Sequence, residues 1–346
     1  MPRQLTLIDL LDHLAPQVQK AFLGSVLLIT SSVQFKALEE AIQAGNVDGV
    51  FEVLDLGPEY FAPLDRALRD AYEVGGDWTM DRFMKQAQKQ GAQVRARFDA
   101  RNLRAENWVR SKSAELISEI IEEQRAAVVR YLERAQQLNT APRTAALELV
   151  GRVNRSTGRR QGGIIGLHSN HADAVARAFD GLVSGDPALM RDYLSKGLRN
   201  RTFDREVMRA IQEGKAISPN RAREITGKYA DRLLRHRGES IARTELLQSL
   251  HAVQDEGLDQ LVESGKARAE HIEEEWDAAN DLATRPSHAA MDGQKRKHGK
   301  PFQTGEGYLM LRPGDRSLGA PAKEIIRCRC RKIVRIDFIA SLGVED

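Results

Sequence analysis

Cysteine is nearly absent. The 346 residues hold two, Cys328 and Cys330, with one residue between them. A disulfide across that gap would close a small, strained ring. No covalent staple is therefore expected, and a reducing cytosol suits the chain. Aromatic residues make up only 5%, which favours helices packed through Leu, Ile, Val and Ala. Long apolar runs are missing too: residues 21–29 are apolar but fall far short of the ~20 residues a membrane span needs, and no charged-then-apolar leader opens the chain. Neither sign of charge dominates, since the net charge is +3. HExxH, GxSxG and the phosphate-binding P-loop are all lacking, which removes the most recognisable hydrolase and NTPase signatures. What remains is 41% hydrophobic and 29% charged residues, a globular balance rather than a disordered one. The length allows two or three domains.

Charge is unevenly spread. Residues 36–73 carry nine acidic residues against Lys36, Arg66 and Arg69, whereas residues 152–160 carry four arginines and no acid. An acidic front and a basic middle point to separate partners. Helical periodicity covers most of the chain. The pattern predicts a mostly α fold, with a helical region over 1–100, a second over 101–265, a small α+β module over 266–337 and a tail over 338–346. Leu7, Leu10, Leu11 and Leu14 fall at helical spacing. Pro58 opens a helix expected to stop at Gly75-Gly76, followed by a linker or transition over 77–100. Val109, Leu116, Ile117, Ile120, Ile121, Val128, Tyr131 and Leu132 mark a long helix over 103–138. Pro142, Ser169, Pro187, Asp204 and Pro219 mark further starts, and the last helix is expected to pause at Gly238 and resume towards Gly265.

The segment Arg155-Ser156-Thr157-Gly158-Arg159-Arg160-Gln161-Gly162-Gly163 offers backbone N–H groups beside guanidinium donors. Arg152, Arg155, Arg159 and Arg160 are thus candidate contacts to nucleic-acid phosphates, without base reading. The alternative is a structural turn that clamps neighbouring helices. The helix from Pro219 carries Arg221, Arg223, Lys228, Arg232, Arg235 and Arg237, which would either track a phosphate backbone or form a solvated face. Arg243 and Glu245, two apart on that helix, face different sides. The simple expectation is a buried arginine pinning the terminal module onto the helix.

That module is rich in turns and carries the remaining chemistry. Residues two apart on a strand share a face, so Cys328 and Cys330 would present two thiols together. His288 could fold back to them, and Asp281 or His298 could add a fourth ligand, an acceptable set for zinc. The competing reading treats the cysteines as small apolar core residues, with His288 bonded to Asp292 or a backbone carbonyl. His288, Asp281 and Asp292 can also be drawn as an acid–base group. A metal-dependent phosphodiesterase or nuclease acting on DNA is the alternative function.

Trp276, Asp281, Arg285, His288, Asp292-Gly293, Phe302, Pro313-Gly314-Asp315 and Cys328-Arg329-Cys330 together resemble the C-terminal signature of phage Mu F-like minor head proteins, also called the phage head morphogenesis family. Ile241-Ala242-Arg243-Thr244-Glu245 resembles the helical segment that precedes that signature, and residues 151–167 resemble a segment of larger members. The likeness spans roughly residues 140–335, with Ile326 standing where many members carry a polar residue. The resemblance implies structural roles for Arg243, Glu245, Trp276, Arg285, Asp292, Gly293, Phe302, Pro313 and Gly314. It also implies a non-enzymatic virion protein. Such a protein is made in the host cytoplasm and housed in the head near the portal. Its expected partners are the portal, capsid or scaffold proteins, and DNA held non-specifically. It would act in head morphogenesis and in DNA packaging or ejection.

Overall fold

A computed structural model describes residues 5–343. The chain is mostly α-helical, with short strands concentrated after residue 271, as its periodicity predicts. It divides into two compact units, each drawn from separated stretches: one from residues 1–18, 65–113 and 239–346, the other from residues 19–64 and 114–238. The units therefore do not follow the sequential boundaries at residues 100 and 265. The physical reason is helix length. Leu7–Ser32, Leu103–Gln137 and Pro219–Glu263 each contribute residues to both units.

In the second unit, helices Ser169–Ser184, Pro187–Ser195 and Asp204–Gln212 share a core with residues 222–233 of the Pro219–Glu263 helix. Leu182, Met190, Tyr193, Val207 and Ile225 are fully buried there. Starts at Pro187 and Pro219 use proline where a helix has no intrahelical N–H bond to lose, and Asp186 caps the former by accepting from the Ala188 amide at 2.7 Å. The glycine- and arginine-rich segment is a hairpin in which Arg152–Val153 pairs antiparallel with Arg160–Gln161. Gly162 follows it at φ +74°, and a Cβ there would sit 2.6 Å from the Gly227 Cα. Only glycine allows that backbone approach.

In the first unit, Met80, Phe83, Leu258, Leu261, Ile272, Ile336 and Phe338 form one cluster, and Tyr72, Val109 and Val253 another. Three sequence expectations fail here or in the helix that leads into it. Helix Ala62–Lys89 runs straight through Gly75-Gly76, leaving no linker at 77–89. A Cβ on Gly75 would lie 2.7 Å from Leu250 Cδ2, and one on Gly76 2.1 Å from Phe98 Cδ1. The glycines make room for neighbours instead of ending the helix, at a helix-propensity cost of about 1 kcal/mol each. Gly238 likewise lies inside one continuous helix, Pro219–Glu263. The supposed tail begins with a helix, Phe338–Leu342, whose Phe338 is fully buried. Residues 344–346 lie outside the described residues.

The α+β module is present as expected. Strand Ile272–Asp277 is central in a three-stranded antiparallel sheet between Lys295–Lys297 and Arg331–Ile336. A second small sheet pairs Phe302–Gln303 with Leu309–Met310. Among the described residues, no single helix is long and apolar enough to cross a membrane. The bent pair Leu7–Ser32 and Phe35–Gln43 meets that measure jointly, and its Leu10, Leu14, Val18, Phe22, Val26 and Ile29 are buried in the protein.

Candidate functional site

The central strand reads Ile-Glu-Glu-Glu-Trp-Asp, and alternation sends Ile272, Glu274 and Trp276 inward. Trp276 is completely buried. Its ring meets His288 and Phe302 edge-on, each at 5.4 Å between centroids. The chain leaves the strand through a turn held by Asp292, which accepts from the Ala278 amide at 2.8 Å and from Asn280 at 3.0 Å. Those bonds hold its carboxyl below the usual range. Gly293 follows at φ +73° and donates its N–H to the Trp276 carbonyl at 2.9 Å. Arg285 reaches across to the Ile326 carbonyl. Together these contacts bring the short helix Pro286–Ala289, which carries His288, against the segment holding both cysteines.

His288 Nδ1 lies 3.5 Å from Cys328 Sγ and 3.4 Å from Cys330 Sγ. All three side chains are buried, and their ligand atoms lie within 4.8 Å of one another. Cys328 and Cys330 precede the strand Arg331–Ile336 rather than forming part of it, but their thiols converge as a shared face would require. The other imidazole nitrogen, Nε2, sits 2.9 Å from Glu324 Oε2, which also accepts from the Ser287 hydroxyl at 2.8 Å. Glu324 is 1% exposed. A hydrogen bond from the Cys328 thiol, with a further one from His288, pulls Cys330 down to about 5. The same sharing, together with burial, pushes Cys328 up.

Asp281 does not join them. It lies in an exposed turn, where it accepts from the Ala283 amide at 3.0 Å and pairs with Arg329 at 2.5 Å. Nor does His298, which belongs to a different cluster. His298 Nε2 is 2.8 Å from Asp259, and Nδ1 is 3.3 Å from Glu274. Glu274 also pairs with Lys332 at 2.8 Å and Arg296 at 2.5 Å, while Asp255 takes Lys332 and, at 2.9 Å, Arg312. Lys332 and Glu274 have no exposed side-chain surface. Burial opposes the charge on His298, but its bonds to Asp259 and Glu274 prevail and raise it to about 9. Burial likewise works against the Asp255 charge, yet Lys332 and Arg312 hold it well below the usual carboxylate range.

The remaining signature residues make contacts within the fold. Pro313-Gly314 makes a turn in which Asp315 accepts from the Leu311 amide at 2.9 Å. Gly314 sits at φ +83° against Gln248, whose Cγ would lie 3.0 Å from a Cβ. Glu245 pairs with Lys112 at 3.3 Å. Arg243 corrects an expectation: it is not buried against the terminal module but pairs with Asp12 at 2.8 Å. Its neighbour Thr244 holds the module instead, accepting from the Arg327 amide at 3.1 Å.

Among the hairpin arginines, Arg152, Arg155 and Arg159 are exposed. Arg160 is not, since it donates to the Gly151 carbonyl at 2.9 Å and lies over the Phe35 ring. Most of the basic face after Pro219 is also engaged. Arg221 pairs with Glu206, Arg223 with Glu148 and Arg237 with Glu123, Lys228 donates to Gln161, and Arg232 donates to the Arg199 carbonyl.

Sequence reasoning missed Glu324 and Lys332. Glu324 lies in the first turn of the helix Ala322–Ile325, where an acid reads as an exposed dipole partner. Lys332 sits on a strand whose alternation is blurred by charge. Only their long-range partners reveal them.

No curated relative and no solved structure matches this chain significantly. A family model described as "Phage Mu protein F like protein" matches residues 201–333. That span takes in the helix carrying Arg243 and Glu245, the central strand, His288 and both cysteines. Through this region the chain is similar to phage Mu F-like proteins, a family that points to phage head morphogenesis.

Proposed function

We propose that the protein is a minor head component of a tailed phage, seated at the portal vertex and acting in head morphogenesis and DNA packaging or delivery. The match of residues 201–333 to the Mu F-like family carries this reading. The family points to a structural head protein rather than an enzyme. The charged groups around His288 and His298 support the same view: Asp281, Asp292 and Asp315 hold turns, and Asp255 and Glu274 are matched by cations.

The acidic front supplies the candidate portal surface, where Asp48, Glu52, Asp55 and Glu59 are exposed. The exposed Arg152, Arg155 and Arg159 supply the candidate DNA contact, and Arg160 supports the hairpin that displays them. Mass spectrometry of purified virions tests the assignment: the protein should be present in few copies, and its absence from mature and precursor heads would overturn it. The DNA contact is tested separately. Replacing Arg152, Arg155 and Arg159 with Ala should reduce the slope of log affinity against log salt by about 1 per arginine, uniformly across sequences. An unchanged slope would leave the hairpin a structural turn.

A further inference from the structure

We propose that His288, Cys328 and Cys330 bind a thiophilic divalent cation, zinc in a reducing compartment, and that this ion closes the C-terminal module. Geometry is the first argument. Tetrahedral zinc, with bonds of about 2.3 Å to sulfur and about 2.05 Å to nitrogen, sets a bound S and N about 3.6 Å apart. His288 Nδ1 lies 3.5 Å and 3.4 Å from the two sulfurs. Two near-equal distances around one lone pair are what a common centre produces. With the ring proton on Nε2 facing Glu324, Nδ1 is only an acceptor, and a single hydrogen bond to its one lone pair would favour one sulfur over the other.

Glu324 is the second argument. Imidazoles that ligate metal through one nitrogen commonly give the other N–H to a carboxylate, which fixes the tautomer and strengthens the ligand. Here Glu324 Oε2 lies 2.9 Å from Nε2, an ion-pair distance that is not aligned as a hydrogen bond in this structure, and Ser287 donates to the same oxygen at 2.8 Å. A carboxylate 1% exposed beside two sulfurs and a histidine, themselves 5%, 2% and 1% exposed, is costly to keep unless a cation lies nearby.

Chain connectivity gives the site its consequence. The ligands come from helix Pro286–Ala289 and from the segment between helix Ala322–Ile325 and strand Arg331–Ile336. The ion would join stretches 40 and 42 residues apart. Each thiol yields its proton to solvent on binding. No fourth His, Cys, Asp or Glu joins this cluster among the described residues.

The test uses the full chain without a histidine tag. Elemental analysis should find about one equivalent of zinc, as a single site implies. After chelation, titration with Co²⁺ should develop a thiolate-to-cobalt charge-transfer band that zinc abolishes. Cys330→Ala should lose both the metal and the band. Glu324→Gln should keep the band while binding roughly 10- to 100-fold more weakly, the effect expected of an orienting carboxylate. Because Cys330→Ala could simply misfold, the cobalt titration of the unsubstituted chain stands as an independent readout. A folded chain that carries no metal and develops no band would overturn the proposal, leaving the cysteines as apolar core. Full zinc retention in a folded Cys330→Ala chain would do the same.

Discussion

Two histidine-centred clusters lie in the C-terminal region, one at His288 and one at His298. Each gathers three potential metal ligands within 4.8 Å. Around His298, Lys332, Arg296 and Arg312 fill the space between the carboxylates of Glu274 and Asp255. The protein's own cations do there what a metal would do, and the cluster is an internal ion network. Around His288 lie two thiols and the Glu324 carboxylate, and the cation Arg285 is spent on the Ile326 carbonyl. The contrast teaches that ligand proximity alone does not mark a metal site. What separates the two is whether side-chain cations already satisfy the anions.

The largest expected effect tests the ion network. Lys332→Met leaves Glu274 and Asp255 without their shared buried partner, and removing one member of a buried pair costs about 3–5 kcal/mol. Urea unfolding should register that loss. Pairing the change with Glu274→Met should recover much of it, because the uncompensated buried charge goes too. A near-neutral single variant would mean that the network is hydrated and weak.

A smaller effect concerns pH. His298 is raised from 6.5 to about 9 in the folded chain. Its charged form therefore contributes fully below pH 6.5, and the contribution disappears as pH rises through about 9. Unfolding free energy should fall across that interval by on the order of 1–3 kcal/mol after allowance for screening. His298→Gln should flatten this part of the profile. The same slope in wild type and variant would place the titration elsewhere.

The smallest effect sharpens the boundary of the His288 cluster. Asp281→Asn removes an exposed pair with Arg329, so the melting temperature should not change measurably in a thermal scan. A clear drop would return Asp281 to the cluster from which its position separates it.

Much of this protein is determined by local pattern. The helix Leu103–Gln137 follows its apolar spacing nearly to the residue, and proline starts at Pro142, Pro187 and Pro219 hold. Period and capping act within a few residues, so a sequence displays them directly. The grouping of His288 with Cys328 and Cys330 was also legible, because two thiols one residue apart narrow the choices. Tertiary structure alone decided the rest. Gly75 and Gly76 look like a helix stop until Leu250 and Phe98 occupy the space their side chains would fill. Phe338 looks like tail until it packs with Ile272 and Ile336. Arg243 finds Asp12 across 231 positions, and Glu324 meets His288 across 36, since 324 − 288 = 36. Which carboxylate reaches which cation or histidine depends on packing between distant segments, and no local period encodes it.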